Sequence, residues 1–349
     1  MKRLTLLSLG LAALAGFAAP ASAADKIKIG LSFSDFATER WSGEKDQMTK
    51  LLTAKGFDVV WQEANHDPKL QNDQIANMIT QGAKVIIVVA EDGDAAAAAV
   101  EDAAAKGVKV IAYDRLIKSP KIAAYVSFDN VDVGRNQAQG VLAKVKKGNF
   151  VLLGGSPTDN NAHLFRAGQM EVLKPLIDKG DIKVVADQWV ENWDAAKARD
   201  VMSNILTSTG GKFDAVVASN DGTALGALEA MKPAGLAGKV PISGQDATAA
   251  GCNSIVRGEL TVTILKDTRK LTPLATEIAG ALAKGQKIAG LQNYKLADLT
   301  GDKKFTGTVP CKFLQVYQVT KDNVKKLVVD SGFQSYEDVY KDVPNAPKK

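Results

Sequence analysis

The chain has few side chains suited to metal or redox chemistry, since its 349 residues include two cysteines and two histidines. Cys252 and Cys311 form no Cys-x-x-Cys pair, and His66 and His163 show no metal-ligand spacing. We therefore predict no metal site, and we expect surface or helix-face roles for both histidines. The two cysteines could form a disulfide with each other or remain separate thiols, and the sequence leaves both alternatives open.

Motifs that cradle phosphates or carry catalytic nucleophiles are also missing. No Gly-x-Gly-x-x-Gly follows the first predicted strand, and no Gly-x-x-x-x-Gly-Lys-Ser/Thr occurs, which excludes dinucleotide and P-loop sites. Residues 154–157 (GGSP) depart from the nucleophile motif Gly-x-Ser-x-Gly, and Pro157 lacks the backbone N–H that an oxyanion hole requires. We expect no cofactor, no catalytic residue and no enzymatic activity.

Positive charge is too weak for a nucleic-acid partner, since the net charge is +5 and evenly spread. Part of it lies in the basic start Met1-Lys2-Arg3, which precedes an apolar stretch over 4–19 and the small residues Ala-Ser-Ala at 21–23. This pattern predicts a secretory signal peptide, residues 1–23. The apolar stretch is shorter than the ~20 residues of a spanning helix, so we expect cleavage and export.

Short runs rich in Val and Ile alternate with helical patterns along the chain, which predicts parallel strands joined by helices. The first series of strands is expected at 26–33, 59–64, 85–90, 108–113 and 125–128. The pattern restarts at 150–153, 182–186, 215–218 and 240–242, and a further apolar run covers 313–319. The fold class is therefore α/β, with two doubly wound parallel-sheet lobes.

The two lobes are expected to be connected by three crossings, which together form a hinge around a cleft. Strand-like runs near 127–131, 261–266 and 310–315 lie where one lobe's pattern gives way to the other's. The N-terminal lobe is predicted to comprise residues 24–129 and 267–312. The C-terminal lobe is predicted to comprise 130–266 and 313–349.

Polar clusters follow many of the strands, and ligands of open parallel sheets bind outside the carboxyl ends of strands. A single Asp in such a position is more often a helix N-cap, but six of these ends carry complementary polar groups. A pyranose needs this mixture, because its hydroxyls donate and accept hydrogen bonds while its C–H faces pack on aromatic rings. The pattern therefore predicts a sugar site.

Three of the aspartates at strand ends could instead perform acid–base chemistry on a sugar, namely Asp114, Asp159 and Asp246. Neighbouring cations argue against it: Arg40, Arg115 and Lys266. Their charge is expected to keep the carboxylates ionised, whereas a general acid needs a raised pKa. Ionised acceptors beside fixed donors suit binding.

Seven segments together resemble the periplasmic sugar-binding proteins of ABC importers, in the ribose-binding-like group and most closely its D-xylose binders. These segments are 39–41 (ERW), 112–115 (AYDR), 127–130 (SFDN), 154–175, 187–190 (DQWV), 218–221 (ASND) and 243–247 (SGQDA), and they span nearly the whole mature chain. The resemblance implies the type I periplasmic binding protein fold, a location in the periplasm, hinge closure and D-xylose as ligand. The implied partners are ABC permease subunits in the inner membrane, with a chemoreceptor as a second candidate, and the chain is expected to be a monomer.

The resemblance also assigns ligand contacts to matching positions. Polar contacts are implied for Arg40, Asp114, Arg115, Asp159, Asn161, Asn220, Asp246 and Lys266. Trp41 and Trp193 would cover the two faces of the ring, since both lie among polar residues and look exposed, whereas Trp61 and Trp189 are assigned to the core.

One departure affects the identity of the sugar. The segment 266–269 (KDTR) replaces the Lys-Pro of the closest xylose binders and looks more like a multi-sugar receptor for glucose, galactose and arabinose. Three other functions fit the sequence less well. A secreted sugar-converting enzyme would need turnover, a transcriptional regulator of the same fold would need a DNA-binding helix pair where the signal peptide lies, and an autoinducer-type receptor fits poorly with paired tryptophans.

Overall fold

The structure, a computed structural model, describes residues 26–349. The predicted signal peptide, residues 1–23, lies outside the described residues. Among the residues that are described, none of the helices is long and apolar enough to cross a membrane.

Strands and helices alternate through most of the chain, as the apolar pattern predicts. The strands are β1 (Lys28–Phe33), β2 (Asp58–Glu63), β3 (Ala83–Val88), β4 (Lys109–Tyr113), β5 (Ala124–Phe128), β6 (Gly148–Leu153), β7 (Ile182–Gln188), β8 (Ala215–Ala218), β9 (Thr263–Leu265), β10 (Gln292–Lys295), β11 (Thr308–Leu314) and β12 (Tyr317–Val319). The α-helices are α1 (Glu39–Ala54), α2 (Pro68–Thr80), α3 (Ala96–Ala105), α4 (Asn130–Leu142), α5 (Asn160–Asp178), α6 (Ala195–Thr209), α7 (Asp221–Met231), α8 (Ala249–Arg257), α9 (Thr268–Ala283), α10 (Leu296–Thr300) and α11 (Tyr336–Val339).

The first sheet has seven strands in the order β10-β11-β5-β4-β3-β1-β2. All its pairs are parallel except β10 with β11. Apolar residues of β3, β4 and β5 pack on both faces of this sheet and those of β1 on one face, which forms two core clusters. The largely apolar character of these strands reflects burial on two sides by helices.

The second sheet has the parallel order β7-β6-β8. Single bridges from Val216 to Ile242 and from Ser243 to Val262 extend it, so the strand predicted at 240–242 is an isolated bridge instead. The run predicted at 313–319 is likewise two elements, because β11 joins the first sheet while β12 pairs antiparallel with β9.

The two sheets place the chain in two lobes, each with its own core. We propose the lobe boundaries at 129/130 and 266/267, as the sequence predicts. Because β11 pairs with β5 as far as Leu314, we place the third boundary at 314/315 and not at 312/313. Each lobe is therefore assembled from segments that are distant in sequence.

The two cysteines are free and buried, so a disulfide between them is ruled out in this fold. Cys252 lies on α8 in the core of the second lobe, and Cys311 lies on β11 in the core of the first. Of the two alternatives that the sequence left open, the structure confirms that the cysteines are separate thiols. Burial raises the pKa of Cys311 to about 12 and raises that of Cys252 further above its ordinary value.

Both thiols are therefore expected to be unreactive in the native protein, since the thiolate is the reactive form. Titration with an aromatic disulfide reagent should detect no fast-reacting thiol in the native protein and two per chain after unfolding. A reducing agent should leave the midpoint of thermal unfolding unchanged. Rapid labelling of the native chain would contradict this placement.

Candidate functional site

A small cavity lies between the lobes, at the carboxyl ends of the strands. Its lining residues are Thr38, Arg40, Trp41, Asp114, Arg115, Asp159, Asn161, Phe165, Trp193, Asn220, Gln245, Asp246 and Lys266. The structure thus brings all ten predicted ligand-binding residues to one cavity.

Arg40 lies in the first turn of α1 and contacts carboxylates from three elements. Its Nη1 is 3.1 Å from Asp114 Oδ2 and 3.5 Å from Asp246 Oδ1, and its Nη2 donates to Glu44 Oε2 at 3.2 Å. The Glu44 contact is between residues one helical turn apart. Burial opposes the charge of Arg40, but these carboxylates outweigh it and raise the pKa of the guanidinium well above its ordinary value. Arg40 is a fixed cation in the cavity wall.

Asp114 follows β4 and has a left-handed backbone, with φ of 60°. Its Oδ2 lies 3.0 Å from Lys266 Nζ, and its Oδ1 accepts a hydrogen bond from Asn161 Nδ2 at 3.1 Å. Burial acts to raise the pKa of Asp114, but Arg40 and Lys266 outweigh burial and lower the pKa to about 2. The expectation that nearby cations keep this carboxylate ionised is confirmed.

Asp159 combines the ordinary role of an Asp after a strand with a place in the cavity. Its Oδ1 accepts a hydrogen bond from the backbone N of Asn161 at 2.9 Å, which caps α5. Its Oδ2 accepts from Trp193 Nε1 at 3.2 Å and lies 3.1 Å from Arg115 Nε. Burial raises the pKa of Asp159 despite the charge of Arg115, so this carboxyl group is shifted in the direction opposite to Asp114.

Asn220 has the same double role at the end of β8. Its side chain accepts a hydrogen bond from the Thr223 backbone N at 2.8 Å, in a capping box at the start of α7. The cap fixes the rotamer of Asn220 before any ligand arrives. Helix capping and ligand contact are therefore compatible uses of one polar side chain at a strand end.

The two lobes contact each other through buried polar groups. Arg115 of the first lobe pairs with Asp159 of the second, and both side chains are at most 5% exposed. Asn160 Nδ2 donates to the carbonyl of Leu299 at 2.8 Å, and Thr158 Oγ1 donates to the carbonyl of Glu91 at 3.3 Å. These contacts join the first lobe to residues 158–160 of the second lobe, so the structure is a closed arrangement.

Trp193 presents a partly exposed indole, whereas Trp41 is 2% exposed. The guanidinium carbon of Arg40 lies 4.3 Å from the centre of the Trp41 ring and covers one face of it. The Trp193 ring packs over Gly155, where a Cβ atom would lie 1.9 Å from the indole. Both rings line the cavity, but the expectation that Trp41 is exposed is wrong.

The other two tryptophans differ from their predicted core positions. Trp61 is 47% exposed, because β2 is the edge strand of the first sheet. Trp189 is partly buried between His163 and Arg166, with 4.9 Å from its ring to each. The assignment to the core is wrong for Trp61.

His66 is half-buried between two buried carboxylates, whereas His163 is exposed on α5. His66 Nδ1 is 3.1 Å from Glu91 Oε2, and its Nε2 is 3.7 Å from Asp35 Oδ1. The three ligand-type side chains lie within 4.8 Å of one another. Arg115 lies 3.6 Å from Glu91 and already compensates part of this charge, so the arrangement supports an internal ion network next to the cavity.

Sequence reasoning missed three lining residues: Thr38, Phe165 and Gln245. Phe165 is four positions after Asn161 on α5, and this spacing places both on one helix face. Gln245 directly precedes Asp246, and Thr38 lies two positions before Arg40. Each therefore had a detectable signal, namely its spacing from a residue that was predicted.

This fold and cavity define a two-lobed protein that encloses a small polar solute. The chain matches the family described as periplasmic binding protein domain over residues 29–287. It is 44% identical to the D-xylose-binding periplasmic protein of Haemophilus influenzae, over 94% of this chain and 96% of that protein. It is 36% identical to the multiple sugar-binding periplasmic receptor ChvE of Rhizobium radiobacter, over 94% and 98%.

A solved structure is also similar, the solute-binding protein of an ABC transporter from Clostridium phytofermentans with bound β-D-glucose. The TM-score is 0.80 at 30% sequence identity, with 89% of this chain and 99% of that chain covered. The chain belongs to the periplasmic binding protein family, and within it to the substrate-binding proteins of ABC sugar importers. Its relatives are sugar-binding proteins and not enzymes.

Proposed function

We propose that the chain binds D-xylose in the cavity between its lobes and delivers it to the permease of an ABC importer. The observation that carries this proposal is the meeting of ten sugar-type contacts from both lobes in one cavity. The D-xylose-binding periplasmic protein of Haemophilus influenzae is similar to this chain over nearly its whole length. We further propose a monomeric, non-enzymatic protein of the periplasm, released by cleavage of the signal peptide, with a chemoreceptor as a second partner.

The cavity wall offers charged hydrogen-bonding groups in fixed positions. Asp114 is an ionised acceptor, and Arg40 and Lys266 are donors held by it. Charge-assisted hydrogen bonds are stronger than neutral ones. An epimer with a misplaced hydroxyl would leave one of these buried groups without a partner, at a cost of about 1–3 kcal/mol or more.

Closure follows from the distribution of these contacts over both lobes. Arg40 and Arg115 belong to the first lobe, whereas Asp159, Asn220 and Asp246 belong to the second. A sugar that contacts both sets binds the closed state more tightly than an open one and shifts the population towards it. The permease then recognises the surface of the closed protein.

A multi-sugar receptor is the second candidate, favoured by the segment 266–269 and by the similarity to the Rhizobium receptor. Within this segment, Lys266 lines the cavity. Asp267 instead pairs with Arg269 at 2.8 Å outside it. The departing positions 267–269 therefore lie outside the cavity lining, so this segment gives no argument against D-xylose.

The test is isothermal titration of the mature, ligand-stripped protein with D-xylose, D-glucose, L-arabinose, D-galactose and D-ribose. We expect one-to-one binding with D-xylose tightest. Equal binding of glucose or galactose would make the protein a multi-sugar receptor, and no binding of any sugar would overturn the proposal. Asp246→Ala should weaken binding, and wild-type affinity in that variant would contradict the site assignment.

A further inference from the structure

Asp221 is a buried carboxylate behind the cavity wall, in the layer below the residues that would touch the sugar. It is the first residue of α7 and directly follows Asn220. Its exposed fraction is 0%, and it does not line the cavity. Its position therefore suits a role through its neighbours and not through direct contact with ligand.

The contacts of Asp221 reach both ends of the short loop 245–248. Its backbone N donates to the carbonyl of Gln245 at 2.9 Å. Its Oδ2 accepts from the backbone N of Thr248 at 2.9 Å and from Thr248 Oγ1 at 3.2 Å. Thr248 is itself the N-cap of α8 and accepts from the Gly251 backbone N. One residue thus ties the beginning and the end of the loop to α7.

This loop has a strained backbone. Asp246 has φ of 98° and Ala247 has φ of 49°, and neither residue is a glycine. Left-handed backbone in such residues costs on the order of 1–3 kcal/mol each and persists only where the surroundings impose it. Hydrogen bonds from Asp246 N to the Ile264 carbonyl and from Ala247 N to Thr263 Oγ1 hold its middle. Asp221 holds its ends.

Two neighbouring glycines leave space for the Asp221 carboxyl group, because they have no side chain. A Cβ atom at Gly244 would lie 2.1 Å from Asp221 Oδ1, and one at Gly251 would lie 2.2 Å from Oδ2. Asp221 Oδ1 has no hydrogen-bond partner among the described residues. A buried polar atom without a partner costs stability, so this position of the carboxyl group is unfavourable for folding.

We propose that Asp221 is a positioning residue: it holds the loop 245–248 in the strained conformation that presents Gln245 and Asp246 to the sugar. The inference rests on the proposed function, because it assigns the loop to sugar binding. Burial, with a smaller contribution from the Asp246 carboxylate, raises the pKa of Asp221 to about 7. The neutral form is therefore accessible, and an amide can replace the carboxyl group in this position.

The experiment measures D-xylose affinity by titration calorimetry for two replacements of Asp221. Asp221→Ala removes the hydrogen bonds to Thr248 and is expected to weaken binding about tenfold or more. Asp221→Asn keeps an acceptor for the Thr248 N–H and is expected to stay within about threefold of wild type. Asp214→Ala is the matched control, since Asp214 is an exposed aspartate at the opposite end of β8, and it should bind like wild type.

A double-mutant cycle separates positioning from general destabilisation. In an Asp246→Asn background, Asp221→Ala should add less than about threefold, because both changes act on the same loop. Gly251→Ala supplies an independent test if Asp221→Ala does not fold. Alanine is the better helix former by about 1 kcal/mol, yet its Cβ displaces the Asp221 carboxyl group, so we expect a folded protein with weaker binding.

Wild-type affinity in folded Asp221→Ala, or an undiminished loss in the Asp246→Asn background, would overturn the positioning role. Wild-type affinity in Gly251→Ala would do the same if Asp221→Ala cannot be purified folded. Failure of the unmodified protein to bind D-xylose is a different result, which removes the proposed ligand and leaves the loop contacts without this assignment.

Discussion

Asp114→Ala is expected to weaken the binding of D-xylose about a hundredfold or more. The carboxylate lies between Arg40 and Lys266, and the pKa of about 2 means that it is ionised at every working pH. Removing one partner of a buried ion pair costs about 3–5 kcal/mol, and each 1.4 kcal/mol is about tenfold in affinity. This cost is largest in the closed complex, where water no longer solvates the two cations.

Lys266 makes the effect severe, because Asp114 is its one ion-pair partner within residues 26–349. Asp267→Ala is the matched control: this neighbouring aspartate is also buried and paired with an arginine, but it does not line the cavity. Titration calorimetry on both variants, with circular dichroism to show that each is folded, checks the prediction. Equal losses in the two variants would show that ion pairing in general, and not this carboxylate, supports binding.

The stability of the protein is expected to fall between pH 4 and pH 7 because of Asp221. Its pKa is about 7 in the folded protein, against an ordinary value of 3.8. Below pH 4 both states hold the proton. As the pH rises, the unfolded chain releases it while the folded protein keeps it, so unfolding becomes easier until both states are ionised above pH 7. The loss is on the order of 4 kcal/mol for about three pKa units.

Asp221→Asn removes the titration of this carboxyl group and leaves all the other titratable groups in place. Denaturant unfolding at pH 4.5 and pH 8 should therefore show a smaller decline for the variant than for the wild type. The difference between the two proteins cancels the contributions of the remaining groups, which titrate in both. Parallel curves for wild type and variant would mean that Asp221 is ionised in the folded protein at low pH.

Strand positions were predicted well from sequence where the strand is buried on both sides. The run at 215–218 coincides with β8, because four buried apolar residues between turn signals admit few other interpretations. The run at 240–242 makes a single bridge, because strand pairing depends on neighbours that lie elsewhere in the sequence. For the same reason the antiparallel β10 was not predicted.

The cavity residues were predicted for a geometric reason: parallel strands bring their carboxyl ends to one edge, whatever their order. The local sequence pattern does not predict the order of the strands in the sheet. Trp61 was therefore assigned to the core although β2 is an edge strand. The cluster of Asp35, His66 and Glu91 was missed because it requires β1, β2 and β3 to be neighbours. Ligand-binding roles in the cavity remain a prediction until the titrations above.

The late position of β11 and β12 has a consequence for biosynthesis. The first sheet is incomplete until Thr308–Leu314 has been made, and the second lobe lacks Tyr317–Val319, the partner of β9. Most of the chain has therefore left the ribosome before the first sheet can be completed and before β9 can pair with β12. Contacts between distant segments form slowly, since the chain must first bring its ends together. In the export that we propose for this chain, the delay keeps the polypeptide extended enough to cross the membrane until its last strands have been made.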